Sequence, residues 1–261
     1  MITVNEYLQT LSKKLEYREK EKIIKSIDYL KGKIWSLFQN RLDDVIVFGS
    51  YDRETMLPND KEGDVDIMII FKKDEFQPKT YLNQIRSFSE KNYSKSEVYP
   101  EHPTVVIELN HVKFELVPTL WDSSAWSDTA MLIPGPPSEN YEWVKTNPLE
   151  FTGKLNTKEG QNDNMIRPLI RLMKYWNLQN KKAFSSYWLE EFAVNHSYSF
   201  CNSLKDYFYE MINDLNNTSF NEEGTVLIQA LAEKKRRLKS LEDQGLNEYL
   251  EQEFSSFLPM L

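Results

Sequence analysis

The stretch VIVFGSYDRETMLPNDKEGDVDIMIIF, residues 45–71, decides the fold of this chain. It predicts an apolar strand, a turn at Gly49 and Ser50, a polar loop, and a second apolar strand that opens with two alternating acids. Side chains alternate between the faces of a strand, so Asp64 and Asp66 share one face while Val65 points into the protein. Two carboxylates beside a turn with free backbone N–H groups favour a divalent metal ion and a nucleoside triphosphate.

A third carboxylate is expected from a neighbouring strand. Residues 104–109 and 112–117 predict a hairpin, and they supply Glu108 and Glu115 as candidates. Glu115 lies among apolar neighbours at what we expect to be a strand end, where an uncompensated carboxylate would be costly. A bound cation explains such a residue, so we favour Glu115 over Glu108.

The Gly-Ser turn has the properties of a phosphate-binding loop. Gly49 permits a positive φ and a close approach of the backbone, and Ser50 adds a hydroxyl group. Successive N–H groups in such a turn suit the β- and γ-phosphates of a nucleotide. Arg53 and Thr55 follow on the same loop, where they either contact phosphate or serve only the loop itself.

Composition limits the class of protein. The 261 residues are 40% hydrophobic and 28% charged, which is ordinary for a soluble globular protein with a sizeable core. The net charge of −8 argues against a broad basic face for duplex nucleic acid. Cys201 is the single cysteine, so an internal disulfide and a thiolate metal cluster are excluded. With no N-terminal signal pattern and no membrane-length apolar run, we expect a cytoplasmic protein that does not enter a membrane.

The chain divides into an α/β half and a helical half. Strand signals fade after the proline-rich loop at residues 134–137, and residues 152–163 form a polar stretch without periodicity. We therefore place the catalytic core with its N-terminal helices at residues 1–155 and a helical domain at residues 156–261. The predicted helices are 3–15 (with a capping box at Thr3 and Glu6), 18–40, 80–92, 165–176, 186–213, 222–240 and 246–257.

A second cluster of candidate residues lies in the helical half. Arg167, Arg171 and Lys174 share a helical face, which is either a solvated surface or, if it lines a cleft, a place where Lys174 anchors a triphosphate. Ser186 either caps the next helix or also contacts phosphate. Tyr187 is either a core aromatic residue or a ring that stacks on a base.

These motifs, in this order across about residues 10–260, resemble the oligoadenylate synthase and cGAS-like enzymes, and especially the bacterial cyclic-oligonucleotide synthases called CD-NTases. The motifs are Gly49-Ser50, Asp64-x-Asp66, FELVP (114–118), WVKTNP (143–148), KYWN (174–177) and SSYWLE (185–190). The resemblance implies an α+β fold with a polymerase-beta-like nucleotidyltransferase core, a mixed sheet with helices. It also implies a C-terminal helical domain of the oligoadenylate-synthase type that completes a nucleotide-binding cleft.

The resemblance also implies roles for individual residues. Asp64, Asp66 and Glu115 would bind two Mg²⁺ ions, for which Mn²⁺ can substitute, and Glu115 stands where the family commonly has aspartate. Ser50, Lys174 and Ser186 would hold phosphates of the nucleoside triphosphates (ATP, and GTP, CTP or UTP as further candidates), with Gly49 at the same turn. Tyr187 would stack on the donor base. Regulatory or effector proteins are candidate partners.

Three functions remain open. The first is a metal-dependent enzyme that joins nucleoside triphosphates into a cyclic di- or trinucleotide second messenger within a CBASS-type antiphage system. The second is a nucleotidyltransferase that transfers a nucleotide to a separate acceptor, such as tRNA, a protein or a small molecule. The third is a non-catalytic nucleotide sensor, and retention of all three candidate acids weighs against it.

Overall fold

The chain forms two units in the computed structural model, which describes residues 2–17, 20–58, 63–73, 76–94, 96–101, 103–124, 129–136 and 142–261. The sheet unit is Tyr17–Gly153, and the helical unit is Met1–Glu16 together with Lys154–Leu261. The N-terminal helix, which we expected in the catalytic core, thus belongs to the helical unit. The assignment of catalytic and cleft-forming roles to two domains stays a prediction.

A seven-stranded mixed sheet organises the described residues of the sheet unit. Its strands are β1 (Leu42–Phe48), β2 (Asp64–Phe71), β3 (Glu97–Glu101), β4 (Thr104–Leu109), β5 (Val112–Trp121), β6 (Met131–Pro134) and β7 (Trp143–Thr146). The main path runs β1-β2-β5-β4-β3, while β6 pairs with β5 and β7. Strands β2 and β5 are parallel, and every other pairing is antiparallel.

The two faces of β2 have different neighbours. Val65, Ile67, Ile69 and Phe71 belong to the larger core cluster, which also contains buried residues of α2 (Lys20–Phe38) and α4 (Pro78–Asn92). Met68 and Ile70 alternate with them and belong to a separate cluster with β5 and β6. Because Asp64 and Asp66 are in phase with Met68, they lie on the face opposite to α2 and α4.

The apolar spacing of α2 correctly predicts the helix and most of its buried face. Ile23, Ile27, Leu30, Ile34 and Phe38 are at most 7% exposed and recur at helical spacing. Two residues that the spacing also suggested as core are instead exposed, namely Ile24 and Leu37. A 3₁₀ turn, Gln39–Arg41, follows the helix and leads into β1.

The helical unit contains α1 (Val4–Lys14), α6 (Ile166–Gln179), α7 (Ser186–Asn195), α8 (Leu204–Asn216), α9 (Glu222–Asp243) and α10 (Leu250–Ser255). The capping box at Thr3 and Glu6 is confirmed. Tyr7 of α1 donates a hydrogen bond of 2.9 Å to the carbonyl oxygen of Leu258, so the two ends of the chain pack together. Within the described residues, no helix is both long enough and apolar enough to span a bilayer.

Two predictions about helices were wrong. The polar stretch at 152–163 lies largely within a helix, α5 (Pro148–Gln161), whose residues Phe151, Leu155 and Glu159 are buried at a four-residue spacing. The predicted helix 186–213 is two helices, because His196 adopts an extended conformation after α7 and Ser203 caps α8 by accepting a hydrogen bond from the Asp206 N–H. Strands β3, β6 and β7 were not predicted.

Candidate metal and nucleotide site

Strand pairing brings three carboxylates together in the sheet unit. Asp66 of β2 lies opposite Glu115 of β5 in the parallel register, and Asp64 precedes Asp66 by two residues on the same face. One oxygen from each of the three side chains lies within 4.8 Å of the others, and all three residues are partly buried. Glu115 stands in the fourth position of the ten-residue strand β5, not at a strand end as the sequence suggested.

Gly49 is required where β1 meets the carboxylate cluster. Its φ is +76°, and it begins a short helix, α3 (Gly49–Asp52), instead of an open turn. A β-carbon on this residue would lie 1.8 Å from Oδ2 of Asp66. The register places Phe48 opposite Asp66, so the backbone of the next residue passes directly beside that carboxylate. The positive φ and the close approach that we expected at Gly49 are therefore both present.

The carboxylates perturb one another. Burial, followed by the charge of Asp66 and by the hydrogen bond and charge of Glu115, raises the pKa of Asp64 to about 8. The nearby ammonium group of Lys113 acts in the opposite direction. A carboxyl group held protonated by burial and by acidic neighbours is one that a bound cation would ionise and stabilise.

Lys113 is a residue of this cluster that the sequence reasoning missed. Its Nζ lies 2.7 Å from Glu115, 3.2 Å from Glu101 and 3.9 Å from Asp64. Burial disfavours its charged form, but the hydrogen bonds and charges of Glu115 and Glu101 outweigh burial and raise the pKa of Lys113. The available signal was its position two residues before Glu115, which puts both side chains on one face of β5.

The cluster fits a hard divalent cation. All three donors are carboxylate oxygens, which Mg²⁺ and Mn²⁺ prefer, and their mutual repulsion is of the kind that a cation relieves. Glu108 does not join the cluster. It lies on β4 with an exposed side chain that accepts a 3.4 Å hydrogen bond from the Tyr99 hydroxyl group.

The loop after Gly49 is held by its own contacts. The carbonyl oxygen of Ser50 accepts hydrogen bonds from the backbone N–H groups of Thr55 (2.9 Å) and Met56 (3.1 Å). The guanidinium group of Arg53 is buried with its centre 5.2 Å from the Phe151 ring. Arg53 and Thr55 thus contribute to the packing of the loop, and phosphate contact by Ser50, Arg53 or Thr55 stays a prediction.

In the helical unit, the cationic face of α6 is paired with acids. Lys174 and Glu190 are 6% and 1% exposed, and Lys174 Nζ lies 3.0 Å from Glu190 Oε1. Arg167 and Arg171 approach carboxylates in the same way, at Glu159 (3.8 Å) and Glu16 (3.3 Å). The three cations of this face are therefore not simply solvated, because each lies beside a carboxylate.

The start of α7 differs by one residue from the sequence interpretation. Ser185, and not Ser186, is the N-cap, and its hydroxyl oxygen accepts a hydrogen bond from the Trp188 N–H. Ser186 is the first residue of the helix. Tyr187 is 49% exposed, so the core interpretation of this ring was wrong and its surface is accessible. Binding of nucleotide by Lys174, Ser186 and Tyr187 stays a prediction.

The sheet order and the acids on β2 and β5 define a polymerase-beta-like nucleotidyltransferase fold. Solved structures with this fold cover almost the whole chain. The CdnC protein of Escherichia coli MS115-1, in a structure with ATP, matches with a TM-score of 0.75 at 11% identity, over 97% of this chain and 96% of that one. The CdnE c-UMP-AMP synthase of Rhodothermus marinus, with Apcpp and Upnpp, matches with a TM-score of 0.66 at 17% identity, over 93% and 97%.

The sequence comparisons identify the family. Residues 1–159 match the model of the Second Messenger Oligonucleotide or Dinucleotide Synthetase domain, and the chain belongs to this family. A probable cyclic nucleotide synthase of Bacillus cereus (strain VD146) is 25% identical over 189 residues, which are 59% of this chain and 55% of that protein. The chain thus spans about half the length of this curated relative. The resemblance to CD-NTases that the motifs indicated is confirmed.

Proposed function

We propose that the protein is a metal-dependent nucleotidyltransferase that joins nucleoside triphosphates into a cyclic di- or trinucleotide second messenger and releases pyrophosphate. The observation that carries the proposal is the cluster of Asp64, Asp66 and Glu115, with oxygens within 4.8 Å of one another on paired strands. Membership of the second-messenger synthetase family supports the cyclic product. A role in antiphage defence is proposed from that membership and from the resemblance to CD-NTases.

The three carboxylates would hold the metal ions, two Mg²⁺ in the proposal, with Mn²⁺ as a substitute. Bound there, the ions would stabilise negative charge on the attacking and leaving oxygens of phosphoryl transfer. Gly49 keeps the backbone close to Asp66, and Ser50 on the same loop would contact phosphate. Lys174 and Ser186 would hold further phosphate groups, and the exposed ring of Tyr187 would stack on the donor base.

For Lys174 to contact a phosphate, its ammonium group has to share or leave the carboxylate of Glu190. An ammonium group has three donors on a flexible stem, so it can keep one bond to Glu190 and offer another to an anion. Glu190 would then position Lys174 as well as neutralise it. The donors would be ATP and, as candidates, GTP, CTP or UTP.

Transfer to a separate acceptor is the second candidate function, because the proposed donor site would serve it equally well. Purified protein should be incubated with labelled ATP, GTP, CTP and UTP and with Mg²⁺ or Mn²⁺, in the absence of any acceptor, and then treated with phosphatase. Phosphatase-resistant products with the mass of cyclic oligonucleotides support the proposal. No product without acceptor, together with label transfer to RNA, a protein or a small molecule, supports the second function and rejects the first.

Variants test whether the carboxylate cluster is needed for turnover. Asp64→Asn with Asp66→Asn keeps the side-chain shapes but removes two metal-binding charges, and it should abolish turnover in a folded protein. Glu108→Gln is the matched control, because it removes a carboxylate from the neighbouring strand β4 outside the cluster. Turnover that persists in the double variant would reject the metal site.

A further inference from the structure

A cavity lies in the sheet unit, between α2 and α4. Its volume is about 680 Å³, and its lining includes Lys33, Leu37, Phe38, Arg41, Gln84 and Lys91. Small-molecule sites in proteins typically measure about 300–1,000 Å³. We refer to it as the α2–α4 cavity.

The α2–α4 cavity is distinct from the carboxylate cluster. Phe38 and Phe88, which line it, belong to the same core cluster as Val65 and Phe71 of β2. Asp66 and the other acids lie on the opposite face of that strand, since side chains alternate along it. The sheet therefore separates the cavity from the cluster, and a ligand in one does not occupy the other.

The charge of the lining favours an anion. Lys33, Arg41 and Lys91 contribute three cations, and none of the described residues that line this cavity is an aspartate or a glutamate. This is unusual in a chain with a net charge of −8. Lys33 lies with its Nζ 5.4 Å from the Tyr29 ring, and neither Lys33 nor Lys91 forms an ion pair with an acid in the described ranges.

The third cation is held in place by aromatic rings. The guanidinium carbon of Arg41 lies 6.0 Å from the ring centre of Phe38, 5.7 Å from Phe71 and 5.4 Å from Phe76. Such contacts hold a cation over the ring faces. A charge fixed before binding loses little conformational freedom when an anion arrives.

The lining also offers an acceptor and an apolar surface. Oε1 of Gln84 is buried and has no hydrogen-bond partner among the described residues. A buried acceptor without a donor is costly, and a ligand with N–H or O–H groups would remove that cost. Leu37 is 54% exposed at the same cavity, whereas Ile34 and Phe38 of the same helix pack into the core.

We propose that the α2–α4 cavity binds a nucleoside phosphate, separately from the carboxylate cluster. The phosphates would pair with Lys33 and Lys91, in a positive field to which the charge of Arg41 adds. A base or ribose donor would reach Gln84, and the apolar part of the ligand would cover Leu37. The proposal does not require turnover at the carboxylate cluster, so it can fail or succeed independently of the proposed function.

The test is calorimetric titration of ATP, in EDTA, into the protein with Asp64→Asn and Asp66→Asn. Adding Lys33→Glu or Lys91→Glu should weaken one ATP site at least about tenfold, because the charge reversal removes a phosphate contact and adds repulsion. Lys25→Glu is the matched control, since it makes the same charge change on an exposed part of α2 outside the cavity. It should leave the affinity within about twofold, because exposed charges more than a Debye length apart are largely screened.

Two further measurements decide the class of ligand. Gln84→Leu should weaken ATP binding about threefold to tenfold, the usual net effect of one hydrogen bond, and should leave inorganic tripolyphosphate binding unchanged. Tripolyphosphate that binds as tightly as ATP would overturn the assignment of a nucleoside. Equal ATP affinity in the Lys33→Glu, Lys91→Glu and Lys25→Glu proteins would overturn the site itself. Thermal melting of each variant confirms that the proteins compared are folded.

Discussion

Gly49→Ala is the sharpest perturbation of the carboxylate cluster, because it adds a single carbon beside Asp66. That carbon would lie 1.8 Å from Oδ2 and 2.7 Å from Cγ of Asp66, whereas ordinary contact begins at 3.4 Å. The oxygen would therefore have to move by about 1.6 Å. Metal–ligand distances tolerate only about ±0.2 Å, so Asp66 could not keep its place in a metal site.

We expect Gly49→Ala to reduce turnover at least about 100-fold, the effect of a displacement of about 1 Å at a catalytic centre. The stability of the Gly49→Ala protein should fall less severely than its turnover. Alanine at a φ of +76° costs about 1–2 kcal/mol. This corresponds to a decrease in Tm of about 2–8 °C for a unit of this size. The rise in Tm on addition of Mg²⁺ or Mn²⁺ should shrink, which gives a readout that does not depend on turnover.

Gly32→Ala is the matched control. Gly32 lies within α2, and a β-carbon there would meet nothing within 4 Å. The substitution should stabilise the protein by about 1 kcal/mol, the difference in helix propensity between glycine and alanine, and should leave turnover unchanged. If Gly49→Ala kept both normal turnover and a full metal-induced rise in Tm, the reasoning about Asp66 would be refuted.

Three other predictions concern charged groups. The folded protein raises the pKa of Asp64 to about 8, so it keeps a proton that the unfolded chain, with a pKa of 3.8, releases. The Tm in EDTA should therefore fall as the pH rises from about 4 to about 8, and the Asp64→Asn protein should lack that slope. Lys113→Met should lower the Tm in EDTA and enlarge the rise in Tm on adding Mn²⁺, because the ammonium group 2.7 Å from Glu115 competes with the ion. The Lys113→Arg protein should behave nearly as the unaltered protein. Lys174→Met should lower the free energy of unfolding, measured in urea, by about 3 kcal/mol, because it removes the ammonium group beside the buried carboxylate of Glu190. The double variant Lys174→Met with Glu190→Gln should recover most of that free energy, because no buried carboxylate is then left unpaired.

Local signals predicted the elements whose stabilising contacts are local. The capping box at Thr3 and Glu6 involves two residues three positions apart, and both of its hydrogen bonds form. The hairpin of β4 and β5 needs only a short turn between two apolar runs, and Leu109 pairs with Val112 as expected. Strand β7 has no such signal, since it is four residues long and exists because β6 lies beside it.

The same distinction applies to the candidate site. Alternation along one strand places Asp64 and Asp66 on a common face, which can be read from sequence alone. The choice between Glu108 and Glu115 depends on which strand pairs with β2, and that pairing joins residues about fifty positions apart. The contact of Lys174 with Glu190 is also tertiary, because it joins two helices, and helical spacing within α6 could not reveal it.

The charges in the cluster indicate how its metal ions would be held. With all three carboxylates ionised, as a bound cation would hold them, these groups and the ammonium group of Lys113 carry two net negative charges. That charge balances one divalent cation, so a second ion at the same carboxylates would need additional anionic ligands. Mg²⁺ in phosphoryl-transfer sites is typically held by one or two carboxylates together with substrate phosphates. The cluster would thus bind one ion by itself and a second only with a triphosphate, which would link metal loading to nucleotide binding.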